Sequence, residues 1–244
     1  MTKAINRIVF ATQKGGVGKS TMATMLASYM YFRQHHQVVV IDADYPQHSI
    51  KKLRNREMES LRSDEDQQRE FVKSGREQVY PIASSRMVDV FQRPATDQPS
   101  TYEKASLPEI GADTIIIDTP GSVAIEGLGT ILENVDHVIV PLEPEEMSLI
   151  SSSEFLGALS RIKAVRDRGV KPIAFWNKVR PRSHQELIDV QNEVFRAAGI
   201  HVLQHHVPYS VKMKRNETRS TIFPVNFQAI DLTHFFKELY AAVQ

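Results

Sequence analysis

A run of glycines and basic residues near the start of the chain has the composition of a phosphate-binding loop. It reads KGGVGKST over residues 14–21 and follows a short apolar strand predicted at 8–10. Repeated glycines let backbone N–H groups turn inward around a phosphate chain, and the N-terminus of the following helix adds its positive dipole. Lys19 is placed to contact the β and γ phosphates, and the Ser20 hydroxyl to hold Mg²⁺. The segment therefore predicts that the chain binds a nucleoside triphosphate with magnesium.

The loop departs from the usual P-loop pattern at two positions. The pattern G-x-x-x-x-G-K-[ST] requires a glycine where this chain has Gln13, and it does not require the lysine at position 14. Lys14 can pair with the phosphates of its own nucleotide, or it can project away and reach a nucleotide held by another subunit. A solvated loop lysine is the third alternative. The predicted nucleotide contacts in this loop are Lys14, Gly15, Gly16, Val17, Gly18, Lys19, Ser20 and Thr21.

Carboxylates follow two of the other predicted strands. Asp42 and Asp44 come after the apolar segment 37–41, and Asp118 comes after the segment 114–117. Ligand-contacting residues of open α/β sheets lie just past the carboxyl ends of the strands, so we expect these carboxylates beside the loop. Mg²⁺ bound to phosphate keeps several waters, and Asp118 fits the role of a carboxylate that holds them. The alternative for Asp118 is an aspartate that only forms the turn after its strand.

The KGGVGKST loop, the D-A-D segment at 42–44 and the DTPG segment at 118–121 resemble the deviant Walker A ATPases of the ParA/MinD family, and among them most closely the small Soj-like ParA partitioning ATPases. The resemblance covers nearly the whole chain. It implies a P-loop NTPase fold and an ATP-sandwich dimer, in which Lys14 crosses into the site of the partner subunit.

The same resemblance assigns roles to several site residues. It implies ATP hydrolysis with Lys14, Lys19 and Asp44 as the catalytic residues, in which Asp44 orients or deprotonates the attacking water. This chain carries Tyr45 before the proline where the family usually reads D-x-D-P-Q, so the backbone after Asp44 can take a different path. The residues expected to hold Mg²⁺, the carboxylates through water, are Ser20, Asp42 and Asp118.

Two residues that follow later strands are expected to contact the adenine. By the resemblance, Asn177 matches the position whose amide reads the edge of the base, and Pro208 matches a loop that packs on the base. An amide can donate and accept at once, which suits that role. Asparagine and proline are also ordinary turn formers, so both assignments depend on their positions after the strands predicted at 172–176 and 201–207.

The order of apolar segments predicts an α/β fold with a mostly parallel sheet flanked by helices on both faces. Residues 51–73 are dense in charge and indicate a solvated helix pair or a mobile arm, and 79–83 a short strand. Residues 92–107 indicate a loop with a helical turn. Residues 137–142 predict another strand, and the remaining predicted helices cover 147–168, 183–198 and 227–243.

Length and composition narrow the class of protein. At 244 residues we expect a single domain over 1–244, with a variable, charged and loop-rich segment at 51–110. The chain has no cysteine, which excludes disulfides and the iron–sulfur branches of the same superfamily. No apolar run approaches the roughly 20 residues of a membrane span. We therefore expect a cytoplasmic, nucleoid-associated protein, and, because the first strand begins close to Met1, no DNA-binding domain before it.

The net charge of +1 conceals a separation of charge along the chain. Residues 121–160 contain seven acidic residues and no lysine or arginine, whereas 161–182 contain eight basic residues and one aspartate. Such clusters are typical of a surface that contacts nucleic acid, although a solvated helix face gives the same pattern. A second cluster provides the candidate DNA-binding residues, which are Lys212, Lys214, Arg215 and Arg219.

These features favour a ParA-like ATPase that dimerises on ATP, binds DNA non-specifically and is switched off by partner-stimulated hydrolysis. Its expected cofactors are ATP and Mg²⁺, and its expected activator is a ParB-like or other protein with a basic segment. Hydrolysis is expected to be slow without that partner. One alternative is a MinD-like positioning ATPase on the membrane, but the predicted C-terminal helix has Lys237 as its only lysine or arginine. The other alternative is a metabolic ATP-dependent enzyme of the same fold.

Overall fold

The structure is a computed structural model, which describes residues 5–73, 79–91, 111–121, 128–180, 184–214 and 218–244. The strands of these segments form one seven-stranded sheet in the order β3-β2-β4-β1-β5-β6-β7, and all neighbouring pairs are parallel. This arrangement confirms the predicted α/β P-loop fold class. The strands are β1 (Asn6–Phe10), β2 (Val38–Asp42), β3 (Ile82–Ser84), β4 (Thr114–Asp118), β5 (His137–Leu142), β6 (Lys171–Trp176) and β7 (His201–Val202).

The central strands are apolar on both faces. Every residue of β2 (VVVID) and of β4 (TIIID) is buried, as expected for parallel strands that helices cover on both sides. In the register of the sheet, Phe10 lies opposite Asp118 on one side and Ile139 on the other, while Asp42 lies opposite Asp118. The register therefore brings the end of β1 and the carboxylates that end β2 and β4 to one edge of the sheet.

The helices cover the sheet in two layers. One layer packs the helices at 19–28 and 233–242 against the sheet, and the other packs the helices at 146–159 and 185–197. A π-helical turn at Tyr29–Arg33 continues the first of these helices, and a 3₁₀ turn covers Met87–Asp89. The helices are α1 (Lys19–Ser28), α2 (Ser49–Ser63), α3 (Glu65–Lys73), α4 (Gly129–Leu132), α5 (Glu146–Leu159), α6 (Lys163–Arg168), α7 (Gln185–Ala197), α8 (Val211–Lys214) and α9 (Thr233–Ala242).

Several element predictions need correction. The helix predicted at 147–168 is divided, because three-residue turns after Leu159 end α5 and the extended backbone of Ile162 begins α6. The strand predicted at 201–207 ends at Val202. The backbone N–H groups of Gln204 and His205 donate to the Glu238 carboxylate at 2.6 and 2.9 Å, so they turn away from β6.

The charged and C-terminal segments also have defined bounds. The predicted helix at 227–243 begins only at Thr233, since residues 227–232 form a turn closed by a 2.8 Å bond from the Leu232 N–H to the Phe227 carbonyl. Residues 51–73 belong to the helix pair α2 and α3, of which α3 has no buried residue. The loop predicted at 92–107 lies outside the described residues.

Candidate nucleotide-binding site

The glycine-rich loop runs from the end of β1 to the start of α1, and its glycines meet distant backbone and side-chain atoms. Gly18 has a φ of +95°, and a Cβ on it would lie 2.5 Å from the Asn177 Nδ2. A Cβ on Gly121 would lie 3.1 Å from the Gly15 Cα. Glycine is required at Gly18 by both conformation and space. The DTPG segment and the glycine-rich loop thus touch backbone to backbone.

Lys19 and Asp118 form a buried pair of charges at the base of this loop. Lys19 is 5% exposed at the start of α1, and Asp118 at the end of β4 is fully buried. Burial lowers the pKa of Lys19, while the carboxylates of Asp118 and Asp44 raise it. Burial also raises the pKa of Asp118 to about 7, with Asp42 and Asp44 acting in the same direction and Ser20 and Lys19 opposing them. The base of the loop therefore holds more carboxylate than Lys19 alone can neutralise.

The oxygen atoms in this region fit a magnesium ion. Among the described residues, neither Asp118 oxygen has a donor with hydrogen-bond geometry, and the Asp42 Oδ1 has none either. The Ser20 hydroxyl lies close enough to lower the pKa of Asp118. Buried carboxylate oxygens without partners are costly, and a set of carboxylate and hydroxyl oxygens is what Mg²⁺ prefers. The fold thus brings together the three residues predicted to hold the metal, Ser20, Asp42 and Asp118.

Asp42 also has a structural role that the sequence did not reveal. Its Oδ2 accepts hydrogen bonds from the backbone N–H groups of Ile50 and Lys51, both at 2.9 Å. These are N–H groups of the first turn of α2, which lack partners within the helix. Asp42 therefore ties the start of α2 to the end of β2, while its other oxygen lies 3.8 Å from the His48 Nδ1.

The inserted Tyr45 is accommodated by a turn. The Tyr45 N–H donates to the Ala43 carbonyl at 2.9 Å, and the His48 N–H donates to the Asp44 carbonyl at 2.7 Å. The Tyr45 side chain is 59% exposed and stands edge-on to the His48 ring. Burial raises the pKa of the Asp44 carboxyl, and Asp42 adds to this, whereas Lys19 opposes it. Tyr45 thus points outward while Asp44 stays within electrostatic reach of Lys19.

Lys14 lies at the rim of the site and not at its base. Its side chain is 32% exposed, and its Nζ lies 3.5 Å from a Glu143 oxygen and 3.4 Å from a Glu145 oxygen. Lys178 completes this cluster, since it pairs with Glu143 and donates to the Gly16 carbonyl at 2.7 Å. Sequence reasoning counted Lys178 only within a basic cluster. Its position one residue after Asn177, at a strand end, is the signal that could have found it.

A cavity of about 510 Å³ adjoins the loop and contains both residues predicted to meet the base. Asn177 and Pro208 line it together with Tyr209, whose ring lies 5.0 Å from the Arg180 guanidinium. The Asn177 amide donates to the Val17 carbonyl at 2.7 Å and accepts from the Lys178 N–H at 2.9 Å. An amide has two N–H donors and two acceptor lone pairs, so one of each remains for a ligand.

The four candidate DNA-binding residues are not all found on one surface. Lys212 is exposed on α8. The Lys214 side chain and Arg215 lie outside the described part of the chain. Arg219 is partly buried, and its Nη1 donates to the Thr21 Oγ1 at 3.1 Å. The cluster inferred from spacing therefore divides, with Lys212 facing solvent and Arg219 facing the first turn of α1.

Comparison with known proteins identifies the family. The profile of the CobQ/CobB/MinD/ParA nucleotide-binding domain matches residues 8–222, and the chain belongs to this family. The resemblance stated from the sequence is thereby confirmed. A search of curated protein sequences gave no significant match.

Solved structures share the fold along almost the whole chain. A plasmid partition protein from Borrelia burgdorferi B31 bound to AMPPNP is 22% identical with a TM-score of 0.63, over 98% of this chain and 99% of that chain. A ParA family ATPase from Chlorobium tepidum TLS is 16% identical with a TM-score of 0.55, over 99% and 98%. The MinD cell division protein of Aquifex aeolicus is 16% identical with a TM-score of 0.53, over 97% of each chain. At these identities the likeness establishes the fold.

Proposed function

We propose that this protein is a ParA-like ATPase that forms a dimer around ATP and Mg²⁺, binds DNA without sequence specificity and is switched off by partner-stimulated hydrolysis. It would serve the partition or positioning of DNA or another cargo. The observation that carries this proposal is the pair of lysines in one loop, with Lys19 buried at the base and Lys14 partly exposed at the rim. A nucleotide needs one lysine in its own cradle, so the second is available to act elsewhere.

The residues of the site divide the work of binding and hydrolysis. The loop backbone and Lys19 hold the phosphates, and Asn177 and Pro208 hold the base. Ser20, Asp42 and Asp118 would hold Mg²⁺, the carboxylates through water, and a bound ion would supply positive charge that neutralises the phosphates. Asp44 orients or deprotonates the attacking water. A raised pKa suits this role, because a general base works best when its pKa lies near the operating pH.

Dimerisation is supported by the surroundings of Lys14. Its partners Glu143 and Glu145 hold it through ion pairs that are open to water at Glu145, and such pairs are individually weak. The phosphates of a nucleotide bound to a second subunit can replace these carboxylates as partners of Lys14. Next to them, Met147 and Ile150 of α5 expose apolar side chains, 77% and 53% accessible, that a second subunit could cover.

DNA is favoured over a membrane as the partner surface. Lys212 extends an exposed positive charge from α8, beside the cavity lined by Met213. The C-terminal helix α9 buries Phe235, Phe236 and Leu239 against the sheet, so these apolar residues are not available to a bilayer. Among the described residues no helix is long and apolar enough to span a membrane. We propose that the protein works as a single domain in the cytoplasm, on the nucleoid, with a ParB-like or other activator that carries a basic segment.

Dimerisation tests the role of Lys14. Lys14→Ala should still bind ATP but remain monomeric with ATP and Mg²⁺, because its own cradle keeps Lys19 and loses only the crossing contact. Light scattering measures the mass and calorimetry the nucleotide affinity. Lys237→Ala is the matched control, since it removes an exposed lysine on α9 and should dimerise as wild type does. A Lys14→Ala protein that dimerises at the wild-type concentration contradicts the proposal.

DNA binding is tested by titration at several salt concentrations, with ATP and with ADP. Counterion release makes non-specific binding fall steeply with salt, and a dimer doubles the phosphate contacts. Wild type should therefore bind DNA of arbitrary sequence with ATP and much more weakly with ADP. Changing Lys212 and Lys214 together to Glu should abolish binding while ATP affinity persists. Equal DNA binding by both proteins would move the surface elsewhere, and no binding by either favours the membrane or metabolic alternatives.

A further inference from the structure

Arg219 reaches the phosphate loop from the far end of the chain. Its Nη1 donates to the Thr21 hydroxyl, 198 residues away, in the first turn of α1. Thr21 lines the cavity of about 510 Å³, and Arg219 lines a neighbouring groove of about 540 Å³. The guanidinium thus stands at the boundary between the nucleotide cavity and the surface beside α2.

The charge of Arg219 is only partly balanced where it lies. Burial lowers the pKa of its guanidinium, as does nearby Arg56, while Asp118 and Glu57 raise it. Its Nε is buried and has no hydrogen-bond partner among the described residues. A guanidinium carries five N–H donors in a rigid fork that suits phosphate oxygens. A partly buried guanidinium beside a phosphate cradle, whose Nε has no acceptor in the described part of the chain, has the chemistry of an anion contact.

A buried network fixes the segment that carries Arg219. The Arg54 side chain of α2 donates to the Thr221 Oγ1 at 2.7 Å, to the Thr221 carbonyl at 2.8 Å and to the Tyr80 carbonyl at 3.0 Å. Glu57 accepts from the Thr221 N–H at 2.9 Å and from its hydroxyl. Thr221 is fully buried, so these bonds are shielded from water. The backbone two residues after Arg219 is therefore held by α2.

We infer that Arg219 contacts the phosphate chain of the bound nucleotide, and that Arg54 and Glu57 position it by holding Thr221. The inference rests on the nucleotide binding proposed above, and it moves Arg219 from the DNA surface to the nucleotide site. The same helix α2 begins on the Asp42 carboxylate, so one helix contacts the site through its first turn and holds Thr221 through its middle.

The test is calorimetry with ATP and with ADP on wild type, Arg219→Gln, Arg219→Lys, Lys19→Ala and Arg196→Ala. Arg219→Gln should lower the affinity for ATP and for ADP alike, on the order of tenfold, because a charge-assisted contact with the phosphates is lost. Arg219→Lys should recover part of the affinity, because the charge remains without the fork. Arg196, a half-exposed arginine on α7, is the control for loss of one positive charge and should bind as wild type does.

Three results would overturn the inference. The first is wild-type affinity of Arg219→Gln for both nucleotides while Lys19→Ala loses binding, which leaves the proposed function intact. The second is loss of DNA binding by Arg219→Gln at unchanged nucleotide affinity. The third is a loss of nucleotide affinity in both Arg219 variants together with an equal fall in their melting temperatures. That result would show that Arg219 only stabilises the fold. If Lys19→Ala also binds like wild type, nucleotide binding at this loop fails as a whole.

Discussion

On one side of the phosphate loop, Arg54 and Thr221 are joined by buried hydrogen bonds of 2.7 and 2.8 Å. On the other side, Lys14 and Lys178 meet Glu143 and Glu145 through ion pairs that reach solvent. We call the first the α2 wall, made of Asp42, Asp44, α2 and residues 219–221, and the second the lysine wall, made of the two lysines and two glutamates. Both contact the same loop, Arg219 at Thr21 and Lys178 at Gly16.

The two walls suit different tasks. Buried hydrogen bonds hold their groups in one geometry and leave costly unpaired atoms when broken. Ion pairs that water reaches contribute little to stability and are screened by salt. In the lysine wall only Glu143 is buried, and two lysines share it, so either lysine can change partners at low cost. The α2 wall therefore suits the carboxylates that we propose for hydrolysis and metal binding. The lysine wall suits the proposed dimer, in which Lys14 exchanges its carboxylate partners for the partner's nucleotide.

The largest effect is expected from Asp44, the catalytic candidate of the α2 wall. Asp44→Ala removes the group proposed to orient or deprotonate water, so hydrolysis should slow by about 10²–10⁴-fold. ATP affinity should stay near wild type, and the protein should accumulate as an ATP-bound dimer. Phosphate release measures the rate, with Asp66→Ala on exposed α3 as control. A normal rate would show that the turn containing Tyr45 has moved this role to another residue.

Removal of Arg54 should produce the largest loss of stability. Arg54→Ala leaves two buried carbonyls, those of Tyr80 and Thr221, and the Thr221 hydroxyl oxygen without their donor, at a cost on the order of 3 kcal/mol. Urea unfolding measures this free energy. Arg69→Ala, which breaks two exposed ion pairs on α3, should unfold at the wild-type urea concentration. Equal midpoints for the two variants would show that the buried bonds of the α2 wall stabilise the fold no more than exposed ion pairs do.

Asp118 gives the α2 wall a pH dependence. Burial raises its pKa to about 7, against about 3.9 in an unfolded chain, so between these values the folded protein holds a proton that the unfolded chain releases. The free energy of unfolding should then fall as the pH rises from about 4 to about 7, and this contribution should be constant above. The Asp118→Asn side chain cannot titrate. From pH 5 to pH 7 the free energy of unfolding of this variant should therefore rise relative to that of wild type by roughly 1–2 kcal/mol. Urea unfolding in EDTA without nucleotide tests this, and parallel pH profiles would refute it.

The smallest effect should come from the lysine wall. Lys178→Ala removes the ion pair of a half-exposed lysine with the buried Glu143 and a bond to the Gly16 carbonyl. Because Glu143 keeps Lys14 as a second partner, the change should cost less than about 1 kcal/mol. The difference from wild type should shrink in about 1 M NaCl, where screening is short-ranged. The deficit of Arg54→Ala should persist in the same buffer. If the Lys178 deficit is unaffected by salt, the lysine wall is not held by exposed charge.

Local chemistry made part of the site predictable. The glycine spacing, Lys19 and Ser20 act through backbone geometry and the helix that directly follows them, so the sequence alone identifies them. The strand-end carboxylates Asp42 and Asp118 are predictable for a similar reason, because the buried apolar runs that precede them are short and parallel strands end at one edge. The dual part of Asp42, which also holds α2, depends on where the chain turns after Tyr45.

Residue spacing along the chain determined the fold class and the position of the phosphate loop, because both depend on patterns within a few residues. Only the tertiary structure decided the direction of side chains that meet across the sheet. Glycine is favoured at Gly18 by its positive φ and by Asn177, which stands against it, and at Gly121 a Cβ would lie only 3.1 Å from the Gly15 Cα. Arg219 follows Lys212 in a basic sequence, yet packing turns it onto Thr21 while Lys212 faces solvent. Charge spacing cannot distinguish these two directions, since the burial of a guanidinium depends on helices that lie far away in the sequence.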